Sequence, residues 1–355
     1  MNTFNNGAVG ALEFTVIWER DGIAHKEWFL GRRFNAVNDI FPHGMREALE
    51  GKQQGESVSF TYQPRKCIPR HRESLVRTFT LDRLRKKTVF GRPIIPRLRR
   101  YYPQGHIDGL MHIYPDTLTP FRLIGLDTET FVADCNHPLA QSAVNIEAKI
   151  NYIEERETGT YGSLTHWRET VCDWGPGMQG RFQNQPTDFF LPGFFDRKIK
   201  DSSFQTPALD AQAEKNMQKI FSRHLNPDAR ILDFSLGAHD VVHGEYDGAV
   251  CILSIEYMAD PVLVLKTVRS RLAPCSPVLI GFSNHFDPER CIQGWADIHE
   301  FERMGLVLEY LRQAGLDVHA GTISIRNDWR DKDDPKFLEA RGVSDPVYVV
   351  YGHKP

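Results

Sequence analysis

The sequence predicts two domains of different class, an α+β domain followed by an α/β domain. In the first, apolar and polar residues alternate at 12–18 and 57–62, which is typical of half-buried antiparallel strands. In the second, continuous apolar runs at 248–254 and 278–283 flank a helical segment, which is typical of buried parallel strands. The chain of 355 residues is long enough for each part to bury its own core.

The N-terminal elements form a simple series. The predicted order is strands at 12–18 and 26–30, a helix at 45–50, a strand at 57–62 and a closing strand at 144–153. Asp21 and Gly22 favour a tight hairpin turn between the first two strands, and Gly51 stands where a helix C-terminus favours glycine. The series predicts a small antiparallel sheet wrapped around one helix.

Two short motifs in this part resemble FKBP-type prolyl isomerases of the SlyD-like branch. They are His43-Gly-Met-Arg-Glu-Ala-Leu-Glu-Gly51 and Asp134-Cys-Asn-His-Pro-Leu-Ala140. In that branch the two motifs bracket a flap that carries an inserted chaperone domain. The resemblance covers about residues 10–155 and implies an FKBP/SlyD-like α+β domain with a basic flap insertion.

The same resemblance implies a peptide-binding pocket with an apolar floor. The candidate peptide-binding residues are Trp18, Phe41, Met45, Tyr62, Phe131 and His137. The family also uses a backbone N–H just before the helix, where this chain has Pro42, which has none. The alternative is that these aromatic side chains are simply core, because aromatic residues at alternating strand positions are usually buried. Prolyl isomerase activity is therefore expected to be weak or absent.

Residues 156–206 are predicted to link the two domains. They contain Trp174-Gly-Pro-Gly177 and six phenylalanines between Phe182 and Phe204, without a sustained period. A disordered tether would carry fewer aromatic residues, so an ordered crossover is expected. After it, apolar residues at three- and four-residue spacing predict a helix over 209–225.

The segment that begins the second domain is Ala229-Arg-Ile-Leu-Asp-Phe-Ser-Leu-Gly237, a buried-strand pattern that ends in glycine. A strand at 248–254, a helix at 261–272 and a strand at 278–283 follow. This order resembles class I S-adenosylmethionine-dependent methyltransferases, whose first strand matches 231–237 and whose fourth and fifth strands match 246–284. The short segment between the two matches cannot hold the family's second and third strands.

The resemblance therefore implies a truncated Rossmann-like, methyltransferase-type domain at 207–355. Such enzymes hold the ribose and adenine of the methyl donor on the missing strands. Only Asp233 and Gly237 stand at positions of the family's first motif, as vestigial cofactor-binding residues. We expect no cofactor, S-adenosylmethionine included.

The remaining elements complete a predicted sheet of five strands. They are a helix at 298–314 and strands at 322–326 and 346–351. Losing two strands leaves the strand at 231–234 as an edge with unpaired N–H and C=O groups. We expect the linker, the first domain, a partner chain or a second copy of the protein to cover that edge.

The charge is strongly asymmetric, although the net charge of the whole chain is only −3. Residues 65–100 contain thirteen basic side chains and two acidic ones, a local excess of +11. One interpretation is a solvated or partner-covered face, and the other is a docking surface for nucleic acid or an acidic protein. Arg97, Arg99 and Arg100 are the candidate anion-binding residues.

Metal binding, disulfides and membrane insertion are not predicted. The segment His239-Asp-Val-Val-His243 lacks the glutamate of H-E-x-x-H and has no third ligand nearby. The six cysteines form no C-x-x-C pair and are expected to be reduced structural thiols. No run approaches the length of a membrane helix, and no signal-peptide pattern starts the chain, so a cytoplasmic protein is expected.

These patterns favour a binding or scaffold protein whose partner is a protein or peptide client. If the chain is an enzyme, prolyl cis-trans isomerisation is the expected activity. Two alternatives stay open: a methyltransferase whose donor site is completed by a partner chain, and a protein that binds anions or nucleic acid through 65–100.

Overall fold

The computed structural model describes residues 2–87, 94–155, 164–179, 193–199, 208–235 and 244–355. The chain divides into two compact units. The first contains Met1–Trp18, Phe29–Met178 and Asp297–Glu302, and the second contains Glu19–Trp28, Gln179–Ala296 and Arg303–Pro355. The division predicted from the sequence, at 10–155, 156–206 and 207–355, is continuous along the chain. It does not include the exchange of two short segments, Asp297–Glu302 in the first unit and Glu19–Trp28 in the second. Independent folding of the predicted domains stays a prediction.

The first unit is built mainly from antiparallel strands. Its elements are β1 (Ala8–Arg20), β2 (Ile23–Asn35), α1 (Met45–Leu49), β3 (Ser57–Tyr62), β4 (Val76–Thr80), β5 (Tyr101–Pro103), β6 (Pro120–Leu126), β7 (Thr130–Asp134), β8 (Val144–Glu155) and α2 (Trp167–Cys172). The strand order β3-β8-β1-β2 makes one sheet, in which β8 runs antiparallel to both β1 and β3. The predicted series of strand, strand, helix and strand, with a closing strand, is confirmed.

The turn between β1 and β2 follows directly from two residues. Asp21 and Gly22 have φ angles of +56° and +72°, the left-handed conformation that a two-residue hairpin turn of type I′ requires at both positions. Glycine and aspartate are among the residues that adopt this conformation most easily. The predicted hairpin is confirmed.

The core of the first unit includes part of the predicted linker. Trp167 on α2 is buried, its ring stacks on Phe14 at 5.3 Å, and its indole N–H donates to Asp39 at 2.8 Å. A Cβ at Gly31 would lie 2.6 Å from the same indole, so only glycine allows this close approach. The described segment 164–179 is thus an ordered part of the fold, as the aromatic content of the linker predicts.

The insertion, defined as residues 63–143, contains a second sheet. Its strand order is β4-β7-β6-β5, and all neighbouring pairs are antiparallel. Buried side chains give this sheet its own core: Phe79, Leu84, Ile107, Phe121, Leu123, Phe131 and Ala133. The insertion is therefore a packed substructure.

The second unit contains a large mixed sheet with helices. Its elements are α3 (Ala211–His224), β9 (Ile231–Asp233), β10 (Gly248–Ile252), α4 (Pro261–Arg271), β11 (Pro277–Phe282), α5 (Gln293–Asp297), α6 (Glu300–Ala314), β12 (Val318–Arg326) and β13 (Val347–His353). The strand order is β12-β13-β11-β10-β9. β9, β10 and β11 are parallel, whereas β13 is antiparallel to both β11 and β12.

The prediction that this sheet ends after five strands is wrong, because the start of β2, which belongs to the second unit, lies beside β12. Hydrogen bonds between buried polar side chains join the start of β2 to β12. His25 Nδ1 lies 2.8 Å from the Thr322 hydroxyl, and Glu27 accepts hydrogen bonds from Ser324 and from Arg326. These pairs join residues about 300 positions apart, and no local sequence pattern could indicate them.

Local signals place the helices of the second unit well. Asp210 accepts N–H hydrogen bonds from Gln212 and Ala213 at the start of α3, and Asp260 caps α4 in front of Pro261. The short helix α5 was not predicted. None of the described helices is both long enough and apolar enough to span a membrane.

Candidate functional site

In α/β sheets, ligands approach the carboxyl ends of the parallel strands. In the second unit these are the ends of β9, β10 and β11. Three groups of side chains follow them, around Asp233, Glu256 and His285. The three groups differ in how open they are to a ligand.

The end of β9 carries the predicted cofactor residue Asp233, which is exposed. Its carboxylate accepts the backbone N–H of Ser235 at 2.9 Å, and the hydroxyl oxygen of Ser235 accepts the N–H of Ile252 at 2.9 Å. The Asp233 carboxylate therefore closes a local turn, and the Ser235 hydroxyl joins that turn to the end of β10. Gly237, the other predicted cofactor residue, lies outside the described residues, as do His239 and His243.

The edge of β9 that faces away from β10 is where the methyltransferase resemblance places the strand that binds the cofactor. Within the described residues, β9 pairs with β10 and has no neighbouring strand on its other edge. In the resembled family, that neighbour supplies the acid for the ribose hydroxyls of the donor. Residues 236–243, which follow β9, lie outside the described residues, so the expectation of no methyl donor stays a prediction.

The end of β10 holds a carboxyl group that was not predicted from the sequence. Glu256 has no exposed surface, and neither of its carboxylate oxygens makes a hydrogen bond to another described residue. Burial raises the pKa of Glu256 to about 8, although the positive charge of Arg303 acts in the opposite direction. At neutral pH this side chain is mainly an uncharged acid. The only sequence feature that could have indicated Glu256 is its position shortly after an apolar strand.

Arg303, whose positive charge acts on this carboxyl group, packs against aromatic rings. Its guanidinium carbon is 4.5 Å from the ring centre of Phe286, and its Nε donates to the Trp295 carbonyl oxygen at 3.0 Å. A buried cation that stacks on a ring and binds a carbonyl is part of the packing. Glu256 is thus closed off from solvent and offers no open binding surface.

The end of β11 holds a histidine supported by an acidic network. His285 is about half exposed, and its Nε2 lies 3.3 Å from the carboxylate of Asp345. Arg330 is buried and pairs with Asp345, with Asp210 at 3.3 Å and with Asp334 at 3.1 Å. The network fixes the loop between β12 and β13 to the start of α3. A single oriented imidazole remains at the surface.

Hydrogen bonds and a positive charge favour the ionised form of Asp210 in this network. Burial alone would raise the pKa of Asp210, but the N–H groups of Asp345 and Ala213, the hydroxyl of Ser344 and the charge of Arg330 lower it overall. A carboxylate held by this many donors is a structural anchor. Apart from a capping aspartate, no sequence pattern indicates this network.

In the first unit, four predicted peptide-binding residues share one core. Trp18, Met45 and Tyr62 are buried, and Phe41 packs against them while half-buried. The Tyr62 hydroxyl donates to the His43 carbonyl oxygen at 2.8 Å. Near-complete burial is what core residues show, so this floor presents little surface to a peptide.

The structure does not bring Phe131 to this floor, whereas His137 lies beside the same core, with its Nε2 3.1 Å from the Cys172 carbonyl oxygen. Phe131 lies on β7 in the core of the insertion, with its ring 5.3 Å from that of Phe79. His137 uses both ring nitrogens, because Nδ1 accepts the N–H of Leu139 at 3.0 Å and Nε2 lies 3.1 Å from the Asp173 carboxylate. A motif spacing cannot tell which of two cores a side chain enters.

The anion-binding prediction needs correction at two of its three positions. Arg97 forms an ion pair with Asp297 at 3.3 Å, and Arg100 is only 1% exposed. Neither is presented to an external anion, whereas the prediction for Arg99 remains untested. The exposed cations of the insertion lie earlier in the chain: Arg65, Lys66, Arg70, Arg72, Arg77, Lys86 and Lys87.

A loop of the insertion exposes large apolar side chains. Met111 is 81% exposed, Tyr114 67% and Leu118 58%. The base of the loop is closed, since Gln104 N–H donates to the Thr119 carbonyl oxygen at 2.8 Å. This cluster was not predicted from the sequence. The pattern that could have indicated it is a set of apolar residues that alternate with turn-forming residues. We call residues 107–119 the apolar loop.

Comparison with known proteins adds little to these observations. No protein family matches the sequence, and no curated protein matches it. Among solved structures, the chain is similar to a crystal structure of the small RNA methyltransferase HEN1, with 9% sequence identity and a TM-score of 0.23. The alignment covers 99% of this chain and 41% of that chain. Similarity at this level supports no argument about fold or function, so function must be argued from the described residues.

Proposed function

We propose that this protein is a protein- or peptide-binding scaffold that contacts its client through the apolar loop of the insertion. The observation that carries the proposal is the exposure of Met111, Tyr114 and Leu118 on one short loop. Contiguous exposed apolar side chains mark interaction sites, because burying them against a partner removes them from water.

The order of the apolar loop supports a binding role. Gly105 N–H donates to the Thr117 carbonyl oxygen at 3.1 Å, and Tyr114 N–H donates to the Thr117 hydroxyl at 3.0 Å. A loop held in this way loses little conformational entropy when a client binds. Most of the free energy released by burying the apolar side chains therefore contributes to the affinity for the client.

The second unit is proposed to be a methyltransferase-type domain without a donor site. The sheet order β12-β13-β11-β10-β9, with β13 as the antiparallel member, supports this, because its described residues contain the strands that the resemblance implies and none beyond β9. The edge of β9 that no described strand occupies is proposed to pair with a second copy of the chain or with a partner chain. A partner that completed the donor site there is the rival proposal.

Prolyl isomerase activity is proposed to be weak or absent. Burial of Trp18, Met45 and Tyr62 supports this, since a substrate proline must contact such a floor directly. Pro42 also removes the backbone donor that the resembled family uses.

The client-binding proposal is tested with a triple variant, M111S/Y114S/L118S. Its affinity for a permanently unfolded client, such as reduced and carboxymethylated lactalbumin, is expected to fall at least about tenfold, or ~1.4 kcal/mol. Fluorescence anisotropy of the labelled client measures the dissociation constant. Melting should not change, because all three side chains are exposed.

Leu338→Ser is the matched control, because Leu338 is 87% exposed but lies in the second unit. It should bind the client as the wild type does. Equal affinity of the triple variant and the wild type would remove the apolar loop as the client site. Equal loss in the Leu338 variant would mean that binding follows exposed apolar area in general.

A further inference from the structure

The apolar loop leaves the small sheet of the insertion at an end where exposed cations also lie. Asp134 on β7 pairs with Val76 at the start of β4 and with Arg122 near the start of β6. The residues before β4 and the apolar loop before β6 therefore emerge at the same end of this sheet. The exposed cations just before β4 or at its start are Arg65, Lys66, Arg70, Arg72 and Arg77.

The backbone of one of these cations is fixed by a buried side chain. Asn136 Oδ1 accepts the N–H of Arg72 at 2.8 Å, and Asn136 Nδ2 donates to the Arg72 carbonyl oxygen at 3.1 Å. Asn136 Nδ2 also donates to the Asp134 carboxylate at 2.7 Å, which ties the cationic segment to the end of β7. The exposed side chain of Arg72 thus starts from an ordered backbone.

A second group of cations borders the base of the apolar loop. Asp108 N–H donates to the Arg83 carbonyl oxygen at 2.8 Å, and Arg83 Nε donates to the Asp108 carbonyl oxygen at 2.8 Å. Arg85 Nε pairs with the Asp108 carboxylate at 2.8 Å, which compensates one of the two acids of the loop. Lys86 and Lys87 follow in the same segment and are exposed.

Positive charge prevails around the apolar loop. Residues 65–87 and 104–119 together carry nine basic and four acidic side chains, an excess of +5. Such a surface attracts an acidic partner and disfavours a basic one. The partner must also offer apolar side chains to Met111, Tyr114 and Leu118, which are exposed. Met111 and Leu118 have no ring on which a nucleic-acid base could stack, so the surface suits a polypeptide better than a nucleic acid.

We propose that the client segment bound by the apolar loop is a short apolar stretch with acidic residues on either side. The inference rests on the client binding proposed above and adds the charge of the client. Burial of apolar side chains supplies most of the affinity, and the cations select against clients whose apolar stretch is flanked by lysine or arginine. Salt should weaken this selection but not the apolar contact, because it screens exposed charges.

Three fluorescent peptides test the proposal. They share one apolar centre, which is flanked by glutamate, serine or lysine, and anisotropy gives their dissociation constants for the full-length protein. At a salt concentration of ~0.05 M, the glutamate peptide should bind at least about tenfold more tightly than the lysine peptide, with the serine peptide between them. At ~0.5 M the difference should fall below about threefold. Equal binding of the glutamate and lysine peptides at low salt, or no binding of the glutamate peptide, would overturn the proposal.

Two double variants and one control locate the selectivity. R70E/R72E and K86E/K87E each reverse two exposed charges beside the loop, and each should lower the preference for the glutamate peptide at least about threefold. K215E/K219E reverses two exposed lysines of α3 in the second unit, with the same change in net charge, and should keep the wild-type preference. Loss of the preference in the control, or the wild-type preference in both variants beside the loop, would contradict the assignment.

The triple variant M111S/Y114S/L118S separates this inference from client binding itself. It should bind all three peptides at least about tenfold more weakly and keep their order. Wild-type affinity in this variant would overturn the proposed function and the inference with it, whereas equal binding of glutamate and lysine peptides by the wild type overturns the inference alone. A mixed-sequence RNA that binds more tightly than the glutamate peptide, and loses this binding in R70E/R72E, would show that the cations serve a nucleic acid and would also overturn the inference.

Discussion

Replacing Arg330 by methionine is expected to destabilise the second unit by about 3–5 kcal/mol. Arg330 is buried, and its guanidinium pairs with Asp345, Asp210 and Asp334 while its Nε donates to the Val343 carbonyl oxygen at 2.8 Å. Methionine fills a similar volume but leaves the two most buried carboxylates without a cation. The penalty arises from those uncompensated charges.

Urea unfolding followed by circular dichroism measures this change in the free energy of unfolding. Lys332→Met is the matched control, because Lys332 is exposed in the same loop, and its effect should stay within about 0.5 kcal/mol. A loss below about 1 kcal/mol for Arg330→Met would mean that the acids relax into water and that the network does not hold the loop.

Replacing Leu232 by lysine is expected to cost cooperative folding, solubility or both. Leu232 is 5% exposed on β9, the edge strand of the described sheet. A lysine there must either bury its ammonium group or displace the residues that cover the strand. Either change should lower the free energy of unfolding by about 3 kcal/mol or more. Any partner that pairs with this edge would also be lost.

Thermal unfolding measures the loss of cooperative folding, and light scattering measures the loss of solubility. Ile252→Lys is the control, because Ile252 lies on neighbouring β10 and is 36% exposed, so a lysine there can reach water. If Leu232→Lys stays soluble, melts as the wild type does and keeps the wild-type mass in solution, the strand is not covered and the partner proposal fails.

The sequence predicts those parts of the fold that local chemistry decides. Asp21 and Gly22 specify a hairpin turn, and the helix predicted from residue 261 starts at Pro261. The parallel strands of the second unit are also predicted, because short continuous apolar runs between turn signals are typical of strands that are buried on both faces. In each case, neighbours in sequence supply the main interactions.

The remaining features depend on contacts between distant residues. Glu302 binds Tyr101 across 201 positions, and Glu27 binds Ser324 across 297. Neither acid stands in a motif, so nothing local distinguishes it from a surface carboxylate. The prediction that Phe131 lines the peptide-binding floor is wrong for a related reason. An alternating pattern predicts that a side chain is buried but not in which core.

Calorimetric titration with S-adenosylmethionine tests the central claim, that this is a binding scaffold whose methyltransferase-type unit has no donor site. We expect no heat of binding corresponding to a dissociation constant tighter than about 100 μM, or about 5.5 kcal/mol. Tighter binding by the protein alone would contradict the claim, because it would show that the protein has a working donor site.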